Sequence, residues 1–513
     1  MTLLPPPPGF RGRFITGTSA LEPYAGASGI LAVLPRAAAL PANASDVAKL
    51  VRWAAEHRTG LVPRAAGTGM PGGNLGPGVV VDLRESFREV ISIDPGRRRA
   101  CIQPGVTLAQ LNQKAERHGL RFPVDPASGD SCTLGGMIAN NSAGARSVKY
   151  GATRSWVEWL DVILADGTRS RLARGRLPEG GSGTKRFQLV WETLEPDRQE
   201  IIRSWPRVRK NSSGYALKEL LETGDPVELM VGSEGTLGLI VEAGVRLAPV
   251  PAATGTALLE FASLAEAGEA VAALLPLEPS ACELMDRTLL EVVRKSGGFP
   301  IPIGEAAEAV LLVDAEGDSE NIVQDRLAGF ERAASTLARS MTAGIGPEQR
   351  AKLRRLRHAT SQLISAGSGG RVSMQFIEDG VVPVARLSDY ARGLREVLER
   401  HRLPAVIFGH AGDGNLHVNP LVNVSQPGWR EVVERVLEES CELVARLGGT
   451  LSGEHGDGRL RAPLLERIWG REMVARFRAV KEAFDAEGTF NPGVILPQPG
   501  QQPLDALRKF PVA

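Results

Sequence analysis

No stretch of this 513-residue chain approaches the ~18 consecutive apolar residues of a membrane-spanning helix, so no span is expected. Cysteine is scarce as well. Cys101, Cys132, Cys282 and Cys441 form no CxxC pair and lie far apart. That argues for a reducing compartment and against a cysteine-held zinc or iron–sulfur centre within the chain. The opening Met1-Thr-Leu-Leu-Pro-Pro-Pro-Pro has neither the charged nor the apolar region of a signal peptide, so the expected location is the cytoplasm. Net charge is also missing. Sixty basic against 59 acidic residues leave +1 with no basic block, so neither nucleic acid nor an anionic membrane is expected as the main partner. What is plentiful is glycine, 58 residues, above the usual ~7%, in an otherwise ordinary globular composition of 43% apolar and 23% charged residues. At ~100–200 residues per domain the length suggests two to four domains.

The glycines gather in three regions. Residues 63–73, Pro-Arg-Ala-Ala-Gly-Thr-Gly-Met-Pro-Gly-Gly, follow the apolar pair Leu61-Val62 and precede Val79-Val80-Val81. Glycine at that density lets successive N–H groups turn inward and hold a phosphate, although a mobile surface loop is the plainer alternative. The spacing is neither the strand-GxGxxG-helix of a Rossmann site nor the Gly-Lys-Ser/Thr ending of a P-loop. Residues 126–151 form the second region, where Ser128, Ser131, Thr133, Gly135, Gly136, Asn140 and Gly144 suit close approach to a flat polar ligand. The third, Val231-Gly-Ser-Glu-Gly-Thr-Leu-Gly238, leads into an apolar strand over 239–247. Three such loops suit one large ligand with several polar sectors.

Periodicity supplies the elements between them. A strand over 29–34 is expected to lead to a helix capped by Asn43 or Ser45, with Val47, Leu50, Val51 and Ala54 at i, i+3, i+4 and i+7, ended by Gly60. Strands follow over 79–83, 90–93 and 100–103, and Thr107 caps a helix over 108–118. Past Pro249, strands over 256–261, 310–314, 372–377 and 406–408 alternate with helices over 265–275, from about 321, and over 384–401. This predicts an α+β unit, an antiparallel sheet with helices on one face. Helices over 429–447 and 472–484 lead to Asn491-Pro-Gly493. The expected domains are 1–250, split near 105, then 251–430, then 431–513.

Three of the seven histidines fall between 410 and 455. If Asp413-Gly414 is a two-residue type I′ hairpin turn, His410 and His417 become a directly opposed cross-strand pair, ~4.5–5.5 Å apart at Cβ, with Asn415 and Asn419 on the same face. In Gly453-Glu454-His455-Gly456 the flanking glycines permit a turn that aims both side chains at one pocket. Two histidines and a carboxylate leave an open coordination position for a catalytic divalent ion such as zinc, with iron or manganese as alternatives. Spacing alone leaves equally open a polar sheet face merely filled by His410 and His417.

Seven segments in order, residues 63–73, 126–151, Lys210-Asn-Ser-Ser-Gly-Tyr215, 232–238, Gly409-His-Ala-Gly-Asp-Gly-Asn-Leu-His417, Gly453-Glu-His-Gly456 and Asn491-Pro-Gly493, span nearly the whole chain. Together they resemble the flavin-binding family of vanillyl-alcohol oxidase and p-cresol methylhydroxylase. Within it they look like the branch of the glycolate oxidase flavin subunit, D-lactate dehydrogenase and D-2-hydroxyglutarate dehydrogenase. The resemblance implies a bipartite PCMH-type FAD-binding domain, an α+β substrate or cap domain, and a C-terminal helical segment that returns to the FAD domain. It implies FAD with its pyrophosphate on the loop of Arg64, Gly67, Thr68, Gly69, Met70, Gly72 and Gly73. Its ribityl and ring parts would lie along Pro126, Thr133, Gly135, Gly136, Asn140, Gly144, Tyr150 and Gly151, with Glu234, Gly235, Gly238 and Asn491 completing the site. Ala66 stands where many members have glycine. No histidine or cysteine lies in the first loop, where flavinylated relatives carry theirs, so dissociable FAD is expected.

The chemistry implied is metal-assisted oxidation of a D-2-hydroxy acid to the 2-oxo acid. His410, His417 and Glu454 would hold the ion, His455 would act as general base, Asn419 would bind substrate, and Arg357 would grip the carboxylate, with Arg354 and Arg355 as rivals. A lysine of the D-2-hydroxyglutarate dehydrogenases has no counterpart, since Gln375 or Ile377 occupies the region, and this argues against hydroxyglutarate. Arg459 and Arg461 are expected at the pocket mouth or against a partner. The chain stops after Leu504-Asp-Ala-Leu-Arg508, about where some relatives begin an iron–sulfur domain. A separate iron–sulfur or quinone-linked acceptor is therefore expected, which would place the protein in the cytoplasm or peripherally at a membrane. Oligomeric state stays open, a homodimer included. The rival readings are an alcohol or sugar oxidase of the same fold, which needs no metal, and a non-catalytic flavin-holding electron-transfer subunit.

Overall fold

The computed structural model describes residues 4–176, 181–296, 303–353, 356 and 370–510. Its first sheet is small and mostly parallel. Ala37–Leu40, Val79–Asp82 and Leu61–Arg64 run parallel, with Arg13–Ile15 antiparallel at one edge. Ala37–Leu40 and Val79–Asp82 are buried throughout, as strands covered on both faces must be. The crossover helix Ala44–Glu56 buries Val47, Leu50, Val51 and Ala54, and the Asn43 side chain caps it by accepting the Asp46 N–H at 3.0 Å. The opening strand expected over 29–34 is displaced to Ala37–Leu40. Gly29 lies where a Cβ would strike the Met70 carbonyl, and the Ser28 N–H donates to the Gly67 carbonyl at 3.0 Å. That segment straps the first glycine loop instead of joining the sheet.

A second sheet is antiparallel, in the order Val90–Asp94, Arg99–Ile102, Leu239–Arg246, Val157–Ile163, Arg169–Ala173. The third glycine loop runs directly into Leu239. A third sheet of eight antiparallel strands is built on Ala253–Phe261, Ala309–Gly317, Ala281–Asp286, Ala405–His410 and Asn415–Val422. Helices Leu264–Leu274, Glu320–Ala334 and Leu387–Arg400 pack against its Ala257, Leu259 and Leu311. Not every helix takes that face. Leu289 and Leu290 of Arg287–Ser296 pack on the other side with Leu258, Leu312 and Val406, because alternate strand residues point oppositely and both sets are apolar.

The strand expected over 372–377 is only Val372–Ser373, and the chain then turns before Gly380–Val381. The carboxylates of Glu378 and Asp379 are thereby sent inward. The last long helix, Leu465–Asp485, starts earlier than expected and kinks at Gly470, φ 73°. Its Phe477, Val480 and Phe484 join the core under the second sheet with Leu160 and Val162, and Phe490 pairs with Leu61. The C-terminal segment thus returns to the first two sheets. No described helix is long and apolar enough to cross a membrane.

Candidate active site

All three glycine loops and one end of the eight-stranded sheet meet at a cavity of about 550 Å³. The first loop leaves the carboxyl end of the parallel strand Leu61–Arg64, the end at which open parallel sheets bind ligands. Arg64, Gly67, Thr68, Gly69, Met70 and Gly73 line the cavity, as do Pro126, Thr133, Gly135, Gly136 and Asn140 of the second loop and Glu234, Gly235 and Gly238 of the third. The cradle requires its glycines. A Cβ on Gly73 would sit 2.3 Å from Glu234 Oε2, one on Gly135 2.4 Å from Pro104, and Gly67 has φ 80°. Floored largely by backbone along its glycine loops, the groove fits a long flat polar group such as FAD.

Five residues expected at the cofactor do not line the cavity. Gly72 faces Leu31, and Gly144 allows the Asp125 carbonyl to approach. Gly151 ends the short turn Ser147–Tyr150 with φ 69°. The Tyr150 hydroxyl donates to Glu316 at 2.5 Å. Asn491 fastens two loops from behind, its amide donating to the carbonyls of Gly73 at 2.7 Å and Glu234 at 2.8 Å. Arg64 works partly in the same way, donating to the Gly26 carbonyl at 2.7 Å.

The histidine hairpin differs from the expected one in register. His417 pairs with Phe408 and His410 pairs with Glu283 of the neighbouring strand, so the two histidines are not directly opposed. Asp413-Gly414 is not a type I′ turn, because only Gly414 has positive φ and Ala411–Asp413 form a 3-10 turn. Buried Asp413 accepts from the Ser147 hydroxyl and pairs with Arg209 at 3.5 Å, which holds it inward. The rings nonetheless converge. Their centroids are 5.0 Å apart at 89°, with His410 Nε2 3.0 Å and His417 Nε2 3.3 Å from the same Glu454 Oε1.

The outer nitrogens define what this convergence means. His410 Nδ1 lies 2.5 Å from Glu283 Oε1, and His417 Nδ1 lies 2.7 Å from the Glu378 carbonyl. Both oxygens accept, so each Nδ1 donates and each neutral Nε2 keeps a lone pair aimed at Glu454. With both rings neutral three acceptors face one another, an arrangement that a proton or a metal ion can complete, and hydrogen bonds behind the rings are the usual companions of metal-ligating histidines. The donor set therefore fits a divalent ion. Without one, a proton takes the place: burial works to lower the His410 imidazole, but Glu283 and Glu454 outweigh it and raise it to about 9. Lys210 closes the far side of Glu454, 2.9 Å from Oε2. Burial opposes ionisation of Glu454, yet Lys210 and His410 hold its carboxyl well below the usual range.

His455 and Asn419 also line the cavity, together with Phe408, Gln375 and Glu378. Asn415 does not; its amide donates to Asp379 Oδ1 at 3.2 Å and to the Gly380 carbonyl at 3.1 Å. Asp379 fixes the loop over residues 452–455, its Oδ2 accepting the amides of Glu454 at 3.1 Å and His455 at 2.9 Å and the Ser452 hydroxyl at 3.0 Å. His455 Nδ1 is 2.6 Å from Glu378 Oε2. Arg461 is buried and pairs with Glu378, while half-buried Arg459 donates to the Leu75 and Pro492 carbonyls, so neither stands free at the mouth. Arg354, Arg355 and Arg357 lie outside the described residues. Sequence reading missed Lys210, Glu283, Glu378 and Asp379 as parts of the site. The adjacent pair in Phe376-Ile-Glu-Asp379, two acids beside an apolar strand, was the available signal.

A loop cradle on a parallel sheet, facing an antiparallel cap sheet with ionisable groups at its rim, defines a two-part flavin-dependent oxidoreductase. Residues 35–173 match the family described as FAD binding domain, and residues 250–495 match FAD linked oxidases, C-terminal domain. A D-lactate dehydrogenase of Archaeoglobus fulgidus is 30% identical over 470 residues, 90% of this chain and 93% of its own length. The glycolate oxidase subunit GlcD of Bacillus subtilis is 29% identical over 479 residues, 93% of this chain and 92% of its own. Against the D-2-hydroxyglutarate dehydrogenase of Escherichia coli, 29% identical over 511 residues, the match covers 93% of this chain but 49% of that protein. Among solved structures, 4-ethylphenol oxidase from Gulosibacter chungangensis aligns with a TM-score of 0.68 over 95% of each chain at 16% identity, a likeness of fold alone. The chain belongs to the FAD-linked oxidase family.

Proposed function

We propose that the protein is a dehydrogenase that oxidises a small D-2-hydroxy acid, of the glycolate or D-lactate type, to the 2-oxo acid. The supporting observation is the aim of two imidazoles, both with Nδ1 engaged, at one Glu454 oxygen on the wall of the glycine-lined cavity. FAD in the cradle would supply hydride acceptance at N5, and a divalent ion on His410, His417 and Glu454, zinc first, with iron or manganese as alternatives, would supply polarisation of the substrate hydroxyl and carboxylate. His455 takes the hydroxyl proton at Nε2 in its neutral form; burial works to lower its imidazole, but Glu378 and Asp379 outweigh it and raise it to about 9, so the free base gains population as pH rises toward that value. Asn419 hydrogen-bonds the substrate, and Phe408 covers it with an apolar wall. Arg357 is assigned the substrate carboxylate by resemblance alone. The electrons pass on to a separate iron–sulfur or quinone-linked protein, with this chain in the cytoplasm or held at a membrane by that partner.

The test is an anaerobic screen of flavin bleaching with glycolate, D-lactate, L-lactate, D-malate and D-2-hydroxyglutarate. Bleaching by glycolate or D-lactate, and not by L-lactate, is expected. Bleaching by none of the acids, or by simple alcohols or sugars as fast as by the acids, would overturn the reading in favour of an electron-transfer subunit or an alcohol oxidase.

A further inference from the structure

Glu378 is buried, belongs to neither the glycine loops nor the His410–His417–Glu454 centre, and still reaches the cavity. Its two oxygens are divided. Oε2 lies 2.6 Å from His455 Nδ1, and Oε1 pairs with the Arg461 guanidinium. Arg461 in turn donates to the carbonyl of Gly456, the residue after His455, at 2.5 Å. The links close a ring from imidazole to carboxylate to guanidinium and back to the same loop. Rotation of the His455 ring would break it.

The neighbouring Asp379 has a different task. It takes the backbone amides of Glu454 and His455, and so fixes the loop; its Oδ2 stands 3.8 Å from His455 Nδ1, close enough to act on the ring by charge and too far to hydrogen-bond it. Glu378, Asp379, His417 and His455 also bring four ligand atoms within 4.8 Å of one another, the spacing of an ion site. Hydrogen bonding already uses these atoms. His417 Nδ1 donates to the Glu378 carbonyl, and Asp379 accepts from Ser452, Glu454 and His455 on Oδ2 and from Asn415 on Oδ1. What is left is an acceptor held against one imidazole nitrogen.

We propose that Glu378, braced by Arg461, is the positioning residue that holds His455 with its proton on Nδ1 and its Nε2 lone pair presented to the substrate. The inference rests on the reading of His455 as general base. An ionised carboxylate can only accept, so it selects that tautomer and sets the ring plane, which stacks on His417 at 25° with centroids 5.5 Å apart. An amide at 378 can turn its NH2 toward Nδ1, which moves the ring proton to Nε2 and leaves no base facing the cavity.

The experiment follows flavin reduction by D-lactate in anaerobic stopped flow, for the FAD-loaded wild type and for E378Q, E378D, H455Q and the H455Q/E378Q double variant. E378Q is expected to slow the limiting reduction rate about 10²- to 10³-fold at nearly unchanged substrate Kd and FAD content, with E378D recovering about tenfold. Because Glu378 acts through His455, adding E378Q to H455Q should cost little more, within about twofold. A full further loss in the double variant, or E378Q at the wild-type rate while H455Q is slow, would overturn this inference alone. H455Q at the wild-type rate, or no bleaching of the wild type, would instead remove the reading beneath it. Should E378Q lose FAD, H455Q against H455Q/E378D decides by the same non-additivity.

Discussion

Glu316 and Glu454 are both buried carboxylates, each gathered by side chains from distant parts of the chain, and the comparison separates a clamp from a ligand site. Glu316, near the end of strand Ala309–Gly317, meets Arg121 and Lys149 at 2.9 Å and the Tyr150 hydroxyl at 2.5 Å, which ties the eight-stranded sheet to the glycine-rich side. Burial opposes its charge, but these bonds prevail and push its carboxyl down to about 2. Every partner of Glu316 donates. Glu454 has Lys210 as donor on Oε2, while its Oε1 faces the Nε2 atoms of His410, His417 and His455 at 3.0, 3.3 and 3.8 Å, rings whose Nδ1 atoms are engaged elsewhere. A carboxylate saturated by donors holds the structure together, and one that faces imidazole nitrogens beside a cavity is free to serve as a ligand.

The largest expected effect comes from removing a ligand at the open centre. His417→Ala should abolish bound metal and lower turnover by about 10³-fold or more, with the thermal transition little moved, checked by metal analysis beside steady-state rates. Glu316→Gln should do the reverse, costing about 3 kcal/mol of stability near neutral pH while leaving turnover near wild type in the cold. The sign follows from a depressed folded-state value. The stabilisation is full above the unfolded value of 4.5 and is lost as pH falls toward about 2, so urea midpoints of variant and wild type should converge across that window. Glu283→Gln leaves the groups at both centres in place but removes the negative charge behind His410 Nδ1, and should weaken metal binding by about 10- to 100-fold in a metal titration. Arg146→Gln, removing its 3.6 Å contact to Glu316 and its 3.2 Å pair with Asp125, should cost about 1 kcal/mol in the same urea measurement.

Local signals in the sequence carried the glycine-rich loops, a helix cap at Asn43 or Ser45, and the pairs His410–His417 and Glu454–His455 taken separately, because each depends on residues near one another in the chain; that the two pairs belong to one site came from the family resemblance. The hairpin register did not follow. It depends on Ser147 and Arg209 drawing Asp413 inward, and on Gly414 alone taking positive φ, both set by tertiary contact. The outer shell was equally hidden, since Glu283 reaches His410 from a strand 127 positions away and Lys210 reaches Glu454 across 244. Tyr150 and Asn491 show the converse. Both sit in motifs that mark the cofactor region, and both serve it by fastening its walls.

The central claim is that His410, His417 and Glu454 hold a divalent ion needed for oxidation of a 2-hydroxy acid by the bound flavin. The most direct measurement is anaerobic flavin reduction by D-lactate in protein stripped by chelator and then reloaded with zinc or manganese, with bound metal counted in each sample. Loss of bleaching on stripping, with FAD retained, and its return with about one ion per chain is the predicted result. Undiminished bleaching in stripped protein that contains no ion would contradict it.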